Sequence, residues 1–595
     1  MPIRVIIGNP PYSIGQLDKN DHNQNLSYPT LDSRIKATYN KNSQASLTKS
    51  LYDSYIRAFR WASDRLGDTG VIGFVSNGSF IDGKAMDGFR RSIKEEFTTV
   101  YVFNLRGNQR TQGELSKREG GKVFGSGSRN QIAITVLVKD PSKKESKIFY
   151  KDIGDYLSRE EKLRIISEYK SIGSIDWREI EVNSYHDWTN QREEDYEKYD
   201  LIANRKNPSG EEVFTSYTSG IKSGRDIWVY QFSKDMLEER TRIAIDYFNE
   251  VTNEFRLINK SKEKNANLLN ELIEKRTDLT KISWDVDLVD YIYTGNTIEF
   301  DSSKIRTSLY RPFAKKFLYY DKVLNSRTGI LDQVFPDSDS ENLLFSINTN
   351  PLKPFGLIMT NLIPDLQLSG NGQCFPLYIY DKGETNTLFG ETGTNRRYAI
   401  SDRTLDKYMK VFGNKITQED IFYYVYGLLH HEDYQTKYQI ELGKSLPRIP
   451  MVTAFAEISK IGRALSEIHV NYDKGDLFDF SNGVKLESLE NLRITKLRYA
   501  KSGKATDRTT IICNDSLELQ GIPEEAHQYQ LYGRSALDWV LDRYEYSHDP
   551  KSGIIQDPNL WSDEPNYVLK LISRVTNVSL KTVSLVRQMP PIQDV

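Results

Sequence analysis

Four residues near the start of the chain, Asn9-Pro10-Pro11-Tyr12, have the types and spacing to hold a planar amine. Three aliphatic residues, Val5, Ile6 and Ile7, lead into them and read as a strand. Two prolines then end that strand, because proline donates no hydrogen bond to a sheet ladder and fixes its own φ. Freed from the ladder, the Pro10 carbonyl and the Asn9 side-chain oxygen can both accept from one exocyclic NH2. Two acceptors on one amine oppose delocalisation of its lone pair into an attached ring and ready the nitrogen for attack. Tyr12 can lie flat on that ring, where stacking is worth ~1–3 kcal/mol. Catalysis of this kind is positioning and electrostatics, with no general base ahead of the attack.

The elements that must position these residues are legible in the next 130 positions. The segment SLTKSLYDSYIRAFRWASDRLG carries Leu47, Leu51, Tyr55, Phe59, Ala62 and Leu66 at helical spacing, closed by Gly67. A short apolar run from Val71 to Val75 follows, then an amphipathic helix (MDGFRRSIKEEF), the strand TTVYVFNL and the β-branched run QIAITVLV. Alternating strands and helices predict an α/β layer on a largely parallel sheet, whose carboxyl edge is where such folds bind ligands. Residues 141–214 are charged and irregular, with one helical segment (SREEKLRIISEYK), and read as a connector. From about 215 short strands alternate with turns. Two helices interrupt them, predicting an antiparallel hairpin over about 233–282. Helices dominate again over about 401–595.

A chain of 595 residues is too long for one core. Its 38% hydrophobic and 27% charged residues describe a globular protein, and no run approaches the ~20 apolar residues that span a bilayer. Cys374 and Cys513 are the only cysteines, which excludes a disulfide framework and a cysteine zinc site. No leader pattern opens the sequence, so a cytoplasmic protein without a membrane partner is expected. A net charge of −2 says nothing about nucleic acid, since a binding surface is local. The 36 tyrosines suit surfaces that are half apolar and half hydrogen-bonding, although for most of them a tyrosine-rich core is the expected place.

Asn-Pro-Pro-Tyr after an apolar strand resembles the catalytic motif of amino-methyltransferases that use S-adenosyl-L-methionine, above all the DNA adenine-N6 group. It also resembles the motif of enzymes that methylate protein glutamine or RNA bases. Longer stretches narrow this. GVIGFVSNGSFIDGKAMDGFRRSIKEEF, VYVFNLRGNQR and KVFGSGSRNQIAITVLVK resemble the segments after the catalytic strand of type ISP restriction–modification enzymes. GIKSGRDIWVYQF, LYRPFAKKFLYYD, GQCFPLYIYD, DIFYYVYGLLH, KSLPRIP and YQLYGRSALDWVLDRY resemble that family's carboxy-terminal specificity domain. The resemblance runs in order along essentially the whole chain. It implies an incomplete Rossmann-like methyltransferase sheet over 1–140, then a large α+β target recognition domain over 215–595 with the helical hairpin inserted. It also implies an S-adenosylmethionine-dependent adenine methyltransferase that flips its target base out of double-stranded DNA. Asn9, Pro10, Pro11 and Tyr12 would be its catalytic residues. In the family a nuclease and an ATP-driven helicase precede the methyltransferase, in cis or, in a split system, on a separate chain. No GxxxxGK[ST] loop occurs here.

The family order also places the glycine-rich cofactor loop ahead of the catalytic strand, and only eight residues precede Asn9. The one other candidate, Phe124-Gly125-Ser126-Gly127, precedes a strand rather than opening a helix, the wrong order for a cofactor turn. Phe124 is retained as a second stacking surface for the flipped base. The expectation is therefore an incomplete cofactor site, no metal, and no methylation by the isolated chain. A non-enzymatic DNA-specificity module of a split system is the alternative, and an RNA or protein amino-methyltransferase a further one.

Six Lys/Arg and one acid, Asp321, fall between Lys304 and Lys322, interleaved with aromatics. Lys304, Arg306, Arg311, Lys315 and Lys316 are candidate phosphate contacts there. LRITKLRYAKSGK reads as a half-buried strand with Arg493, Lys496, Arg498 and Lys501 on its outer face. Lys222 and Arg225 lie in a glycine-flanked turn that can approach a backbone closely. Asn371 and Gln373 are candidates for base-edge contact or for capping a turn. His430 and His431, at a helix end with no ligand spacing, read as surface histidines.

Overall fold

The computed structural model describes residues 3–12, 26–43, 45, 48–111, 113–124, 129–204, 209–260, 264–348, 353–381, 395–503 and 505–595. The chain divides into two compact units, Met1–Glu194 and Asp195–Val595. Its architecture is mixed α/β with several sheets.

In the first unit, β1 (Ile3–Gly8), β2 (Leu66–Asn77), β3 (Thr99–Arg106), β4 (Ile132–Lys139), β5 (Lys147–Asp152) and β6 (Arg178–Ile180) form one sheet in the order β1-β2-β4-β3-β5-β6. β1 pairs parallel with β2, and β3 parallel with β5. β4 runs antiparallel between β2 and β3, and β6 antiparallel on β5. The sheet is thus less parallel than its sequence suggests, because β4 returns between β2 and β3 instead of crossing over. The segment read as a connector supplies β5, β6 and helix α5 (Arg159–Glu168) to this unit. Only Ile148, Tyr150 and Ile180 of those strands are well buried, too few to give an apolar run.

Of the helices before α5, namely α1 (Pro29–Ile35), α2 (Ser54–Arg65), α3 (Asp87–Glu96) and α4 (Gly113–Glu119), α2 and α3 cover one face of the sheet through Tyr55, Phe59, Phe89 and Ile93. On the other face Phe103, Leu105, Val123 and Ile132 pack with Ile165, Ile166 and Trp177. α2 is shorter than its apolar spacing implies. Asp53 caps it by accepting from the Tyr55 amide, and β2 begins at Leu66 with no loop between. β1 is the edge strand and is scantily covered, with Ile7 81% exposed and Val5 60%.

The second unit holds two four-stranded sheets. One runs Ile363–Pro364, Ile305–Arg311, Ala314–Tyr319, Tyr230–Gln231; the other Leu357–Thr360, Leu344–Ile347, Gln373–Pro376, Thr218–Ser219. Two helices, Lys234–Ile258 and Ala266–Lys275, stand where the paired helices were expected, and residues 261–263 between them lie outside the described residues. Helices Gln418–His430 and Phe455–Val470 cross backbone to backbone: a Cβ on Gly462 would lie 1.9 Å from the Tyr423 carbonyl oxygen. One core gathers Phe214, Phe345, Phe375 and Phe422; another gathers Phe313, Tyr472, Leu537 and Tyr544 around the Tyr567–Arg587 helix. Among the described residues no helix is long and apolar enough to cross a membrane.

Candidate active site and nucleic-acid interface

β1 delivers Asn9 to the carboxyl edge of the sheet, beside the end of β2 and at the same edge where β3 and β5 end. Asn9 is exposed and Tyr12 half-buried. The Tyr12 hydroxyl donates to Asn9 Oδ1 at 3.3 Å, and its ring meets Tyr55 edge-on at 6.3 Å. Burial, reinforced by Asp53, pushes the phenol up to about 12, so it stays neutral at physiological pH. A neutral phenol on an apolar bed is a stacking surface and a donor that orients the carboxamide. Tyr12 touches the apolar clusters on both faces of the sheet, one of which contains Val123.

The neighbouring edge is held by amides. Asn77 Oδ1 accepts from the Ser79 amide and hydroxyl at 2.9 and 2.7 Å, and the Gln131 side chain donates to Gly78 O at 2.9 Å. Asn104 donates to Tyr150 Oη at 3.1 Å and accepts from the Arg106 amide. A cavity of about 1110 Å³ opens along this edge, lined by Asn104, Arg106, Glu119, Gln131, Asp152 and Trp177 among others. Arg106, with φ 55°, bridges Asp152 at 2.7 Å and Asp155.

Phe124 is 36% exposed and follows a clamped loop; Gly125 and Gly127 lie outside the described residues. The Lys162 ammonium, fully buried, donates to Glu119 O at 2.6 Å and Gly121 O at 2.9 Å, and Arg159 Nε donates to Val123 O at 3.1 Å. Burial pushes Lys162 down to about 8. Nothing in the charged sequence of α5 marked this lysine as a staple.

The candidate phosphate contacts of the second unit differ in what surrounds them. Arg225 is 4% exposed and spends its guanidinium on Ser283 O, Leu324 O and Asp285, which removes it from any solvent-facing role. Lys304 pairs with Asp321 at 2.7 Å, Arg311 with Asp365 at 2.7 Å and Lys315 with Asp473 at 2.6 Å, while Arg306 donates to the Phe335 and Asp337 carbonyls. Arg493 and Lys496 are exposed but face Asp557 and Glu545. Lys222, Arg498 and Lys501 are exposed. The strand there covers only Arg498–Ser502, so Leu492 to Leu497 are irregular. Lys316 lies in a cavity, described below.

Asn371 sits in a left-handed turn at φ 67° and accepts from Gln367, whereas Gln373 is in a strand facing Ile347 and Ser219. His430 and His431 are not surface histidines: they are 7% and 5% exposed. The helix carrying them is buried along its length, so its end is buried too. Both cysteines are buried and free, and among the described residues no cluster of His, Cys, Asp and Glu is placed to hold a metal ion.

Comparison with known proteins gives this geometry a family. Residues 212–571 match the model of the type ISP C-terminal specificity domain, and residues 3–110 that of the Eco57I restriction-modification methylase. No curated protein matches the chain. Among solved structures the chain is similar over its whole length to a nuclease-deletion mutant of the type ISP restriction-modification enzyme LlaGI in complex with a DNA substrate mimic, at 37% identity and a TM-score of 0.83. It is likewise similar to the ATP-dependent type ISP enzyme LlaBIII bound to DNA, at 34% and 0.84, and to DrdV in its DNA complex, at 32% and 0.80. The chain spans 53%, 37% and 57% of those three chains. With a specificity-domain match over more than half its residues and a methylase match where Asn9 and Tyr12 lie, the chain belongs to the type ISP restriction–modification enzymes, of which it carries methylase and specificity domains.

Proposed function

We propose that the first unit is the later part of a Rossmann-like methyltransferase sheet and that its Asn9–Tyr12 edge holds the exocyclic amine of an adenine flipped out of double-stranded DNA. The observation carrying this is the pair itself: an exposed Asn9 carboxamide beside a half-buried, neutral Tyr12 ring at the carboxyl edge of β1. Asn9 Oδ1 and the Pro10 carbonyl accept from the adenine NH2, and Tyr12 stacks on the base, with Phe124 as a second face. Extrusion costs a few kcal/mol, offset by that stacking. The second unit reads the duplex sequence.

S-adenosylmethionine is the methyl donor that the family implies, but the described residues form no cradle for it. The strand-to-helix turn after β2 is filled: a Cβ on Gly78 would meet Gln131 and Ala133 at 3.2 and 3.3 Å, and one on Gly83 the Ser79 carbonyl at 2.4 Å. The open edge of β1, with Ile3, Val5 and Ile7 exposed, supports a further parallel strand carrying the cofactor loop. That strand, with the helicase and nuclease parts, would come from the same polypeptide or a separate one. The same open edge favours the alternative in which this chain alone supplies only recognition.

In the complete enzyme, Asn9→Ala is expected to lower transfer of a tritiated methyl group to duplex DNA by at least ~100-fold, the scale of losing one oriented polar contact. Duplex affinity should stay unchanged. Loss of affinity and transfer together would assign Asn9 a structural role. The chain alone is expected to transfer no methyl group, and turnover by it would refute the incomplete cofactor site.

A further inference from the structure

Among the basic residues between Lys304 and Lys322, one is left without a counter-charge. Lys304, Arg311, Lys315 and Lys322 each face a carboxylate within 2.8 Å, and Arg306 is taken up by two carbonyls. Lys316 forms no ion pair among the described residues. Its ammonium donates to Gln556 Oε1 at 2.8 Å and lies 4.5 Å from the Phe232 ring centre and 4.7 Å from that of Tyr310. Gln556 is itself fixed, donating to Tyr230 O at 2.9 Å. An ammonium has three donors, so two remain unmatched.

These groups line a cavity of about 220 Å³ together with Arg543. The Arg543 guanidinium pairs with Asp542 at 2.8 Å, and its buried Nε has no hydrogen-bond partner among the described residues. The carboxylates of the cavity are already engaged. Asp226 accepts from Tyr310 and Ser223 and lies 3.5 Å from Arg311. Asp542 faces Arg534 and Arg543, and Glu545 faces Lys496. A half-buried lysine whose one hydrogen-bond acceptor among the described residues is an amide oxygen costs stability, and burial together with Arg311 pushes it down to about 7. An ammonium with two unmatched donors and no ion pair among the described residues, lining a cavity, marks a binding site rather than a structural contact.

We propose that this cavity takes one phosphate of the DNA backbone, with Lys316 Nζ as its donor and the Arg543 guanidinium as a second positive charge in the lining. The inference rests on the DNA-recognition reading of the second unit. A phosphate is preferred to a guanine edge because the missing partner is a full negative charge, and a lysine binds phosphate as a point charge. Arg543 belongs to no basic run in the sequence, so only the fold brings it to Lys316.

The test compares the chain with its Lys316→Met variant, which keeps the aliphatic stem against Phe232 and Tyr310. Affinity for duplexes of several sequences is measured between 50 and 200 mM salt. One lost phosphate contact removes about 0.9 from the slope of log affinity on log salt, so the wild-type advantage should shrink about 3.5-fold over that range. The loss should be alike for every sequence. A parallel measurement needs no variant: acetylation of wild-type Lys316 by an N-hydroxysuccinimide ester, read by mass spectrometry, should be blocked by duplex. An unchanged slope overturns the proposal. Lost discrimination at a single base pair overturns it in favour of a base contact. Protection of Lys316 by inorganic phosphate but not by duplex at equal ionic strength overturns it in favour of a free anion. Failure of the wild-type chain to bind duplex overturns both this and the recognition reading.

Discussion

His430 and His469 should make the second unit acid-sensitive, and the tautomers fix the reason. The Thr582 hydroxyl donates to Val578 O, so it accepts from His469 Nε2 at 2.9 Å; His469 Nδ1 then accepts from Tyr426 Oη at 2.6 Å. His430 Nδ1 donates to Tyr426 O at 2.9 Å, leaving Nε2 buried with no partner. The rings of Tyr426 and His469 enclose His430 at 4.6 and 5.5 Å, and Tyr529 stacks on His469. Neither imidazole can take a second proton without a charge in an apolar space. Burial accordingly pushes His430 down from 6.5 to about 4, and holds His469 well below its usual value, with His430 adding to that. Folded values depressed below unfolded ones mean stability that is full above the unfolded pKa and is lost as pH falls towards the folded one. At about pH 5 the unfolded imidazole is almost wholly charged and folded His430 about nine-tenths neutral. Between about pH 7.5 and 5 that is about 2 kcal/mol for His430 alone. Asp365, pushed up to about 6 by burial, titrates in the same interval with the opposite sign. The comparison is therefore with His430→Asn, whose amide can keep the bond to Tyr426 O. Hydrogen exchange of the Gln418–His430 helix amides measures the unfolding free energy at each pH. Wild type should lose about 2 kcal/mol more than the variant on acidification. Parallel curves for the two proteins would refute the argument.

Gly462→Ala would gain about 1 kcal/mol in an isolated helix, but here the added Cβ meets the Tyr423 carbonyl oxygen at 1.9 Å. The net effect should be a loss of about 3 kcal/mol in the urea stability of the second unit, and a stabilised variant would contradict the crossing. Arg90 and Asp187, each 1% exposed at the side chain, pair at 3.0 Å while Arg90 also donates to Phe80 O, Gly83 O and His186 O. Arg90→Met should cost the first unit about 3–5 kcal/mol by urea titration, because it takes one of two charge partners from a buried carboxylate and leaves three carbonyls without their donor; a cost below about 1 kcal/mol would mean that Arg192 alone suffices to hold Asp187.

What the sequence makes legible depends on how local its physical cause is. Proline ends β1 by its own covalent structure, and the face of α2 follows from a spacing of three and four, so Asn9, Tyr12, Tyr55 and Phe59 fall where their neighbours in the chain send them. β5 and β6 escape notice because they enter the sheet on Ile148, Tyr150 and Ile180, with lysines and glutamates elsewhere on their surface. The burial of His430 is completed by His469 on another helix, which Thr582 and Tyr529 hold in turn from still farther along the chain.

Charge is the least local of these properties, and it decides the nucleic-acid interface. A lysine reads the same in sequence whether its counter-ion is DNA or an aspartate of its own chain. Lys315 faces Asp473 across 158 positions and Arg225 faces Asp285 across 60, so the density of basic residues around 304–322 measures mostly internal pairing. A cation without a partner carries more information than a cluster of paired ones. It marks where the fold leaves a charge for something outside the chain to complete, and in that stretch the mark falls on Lys316.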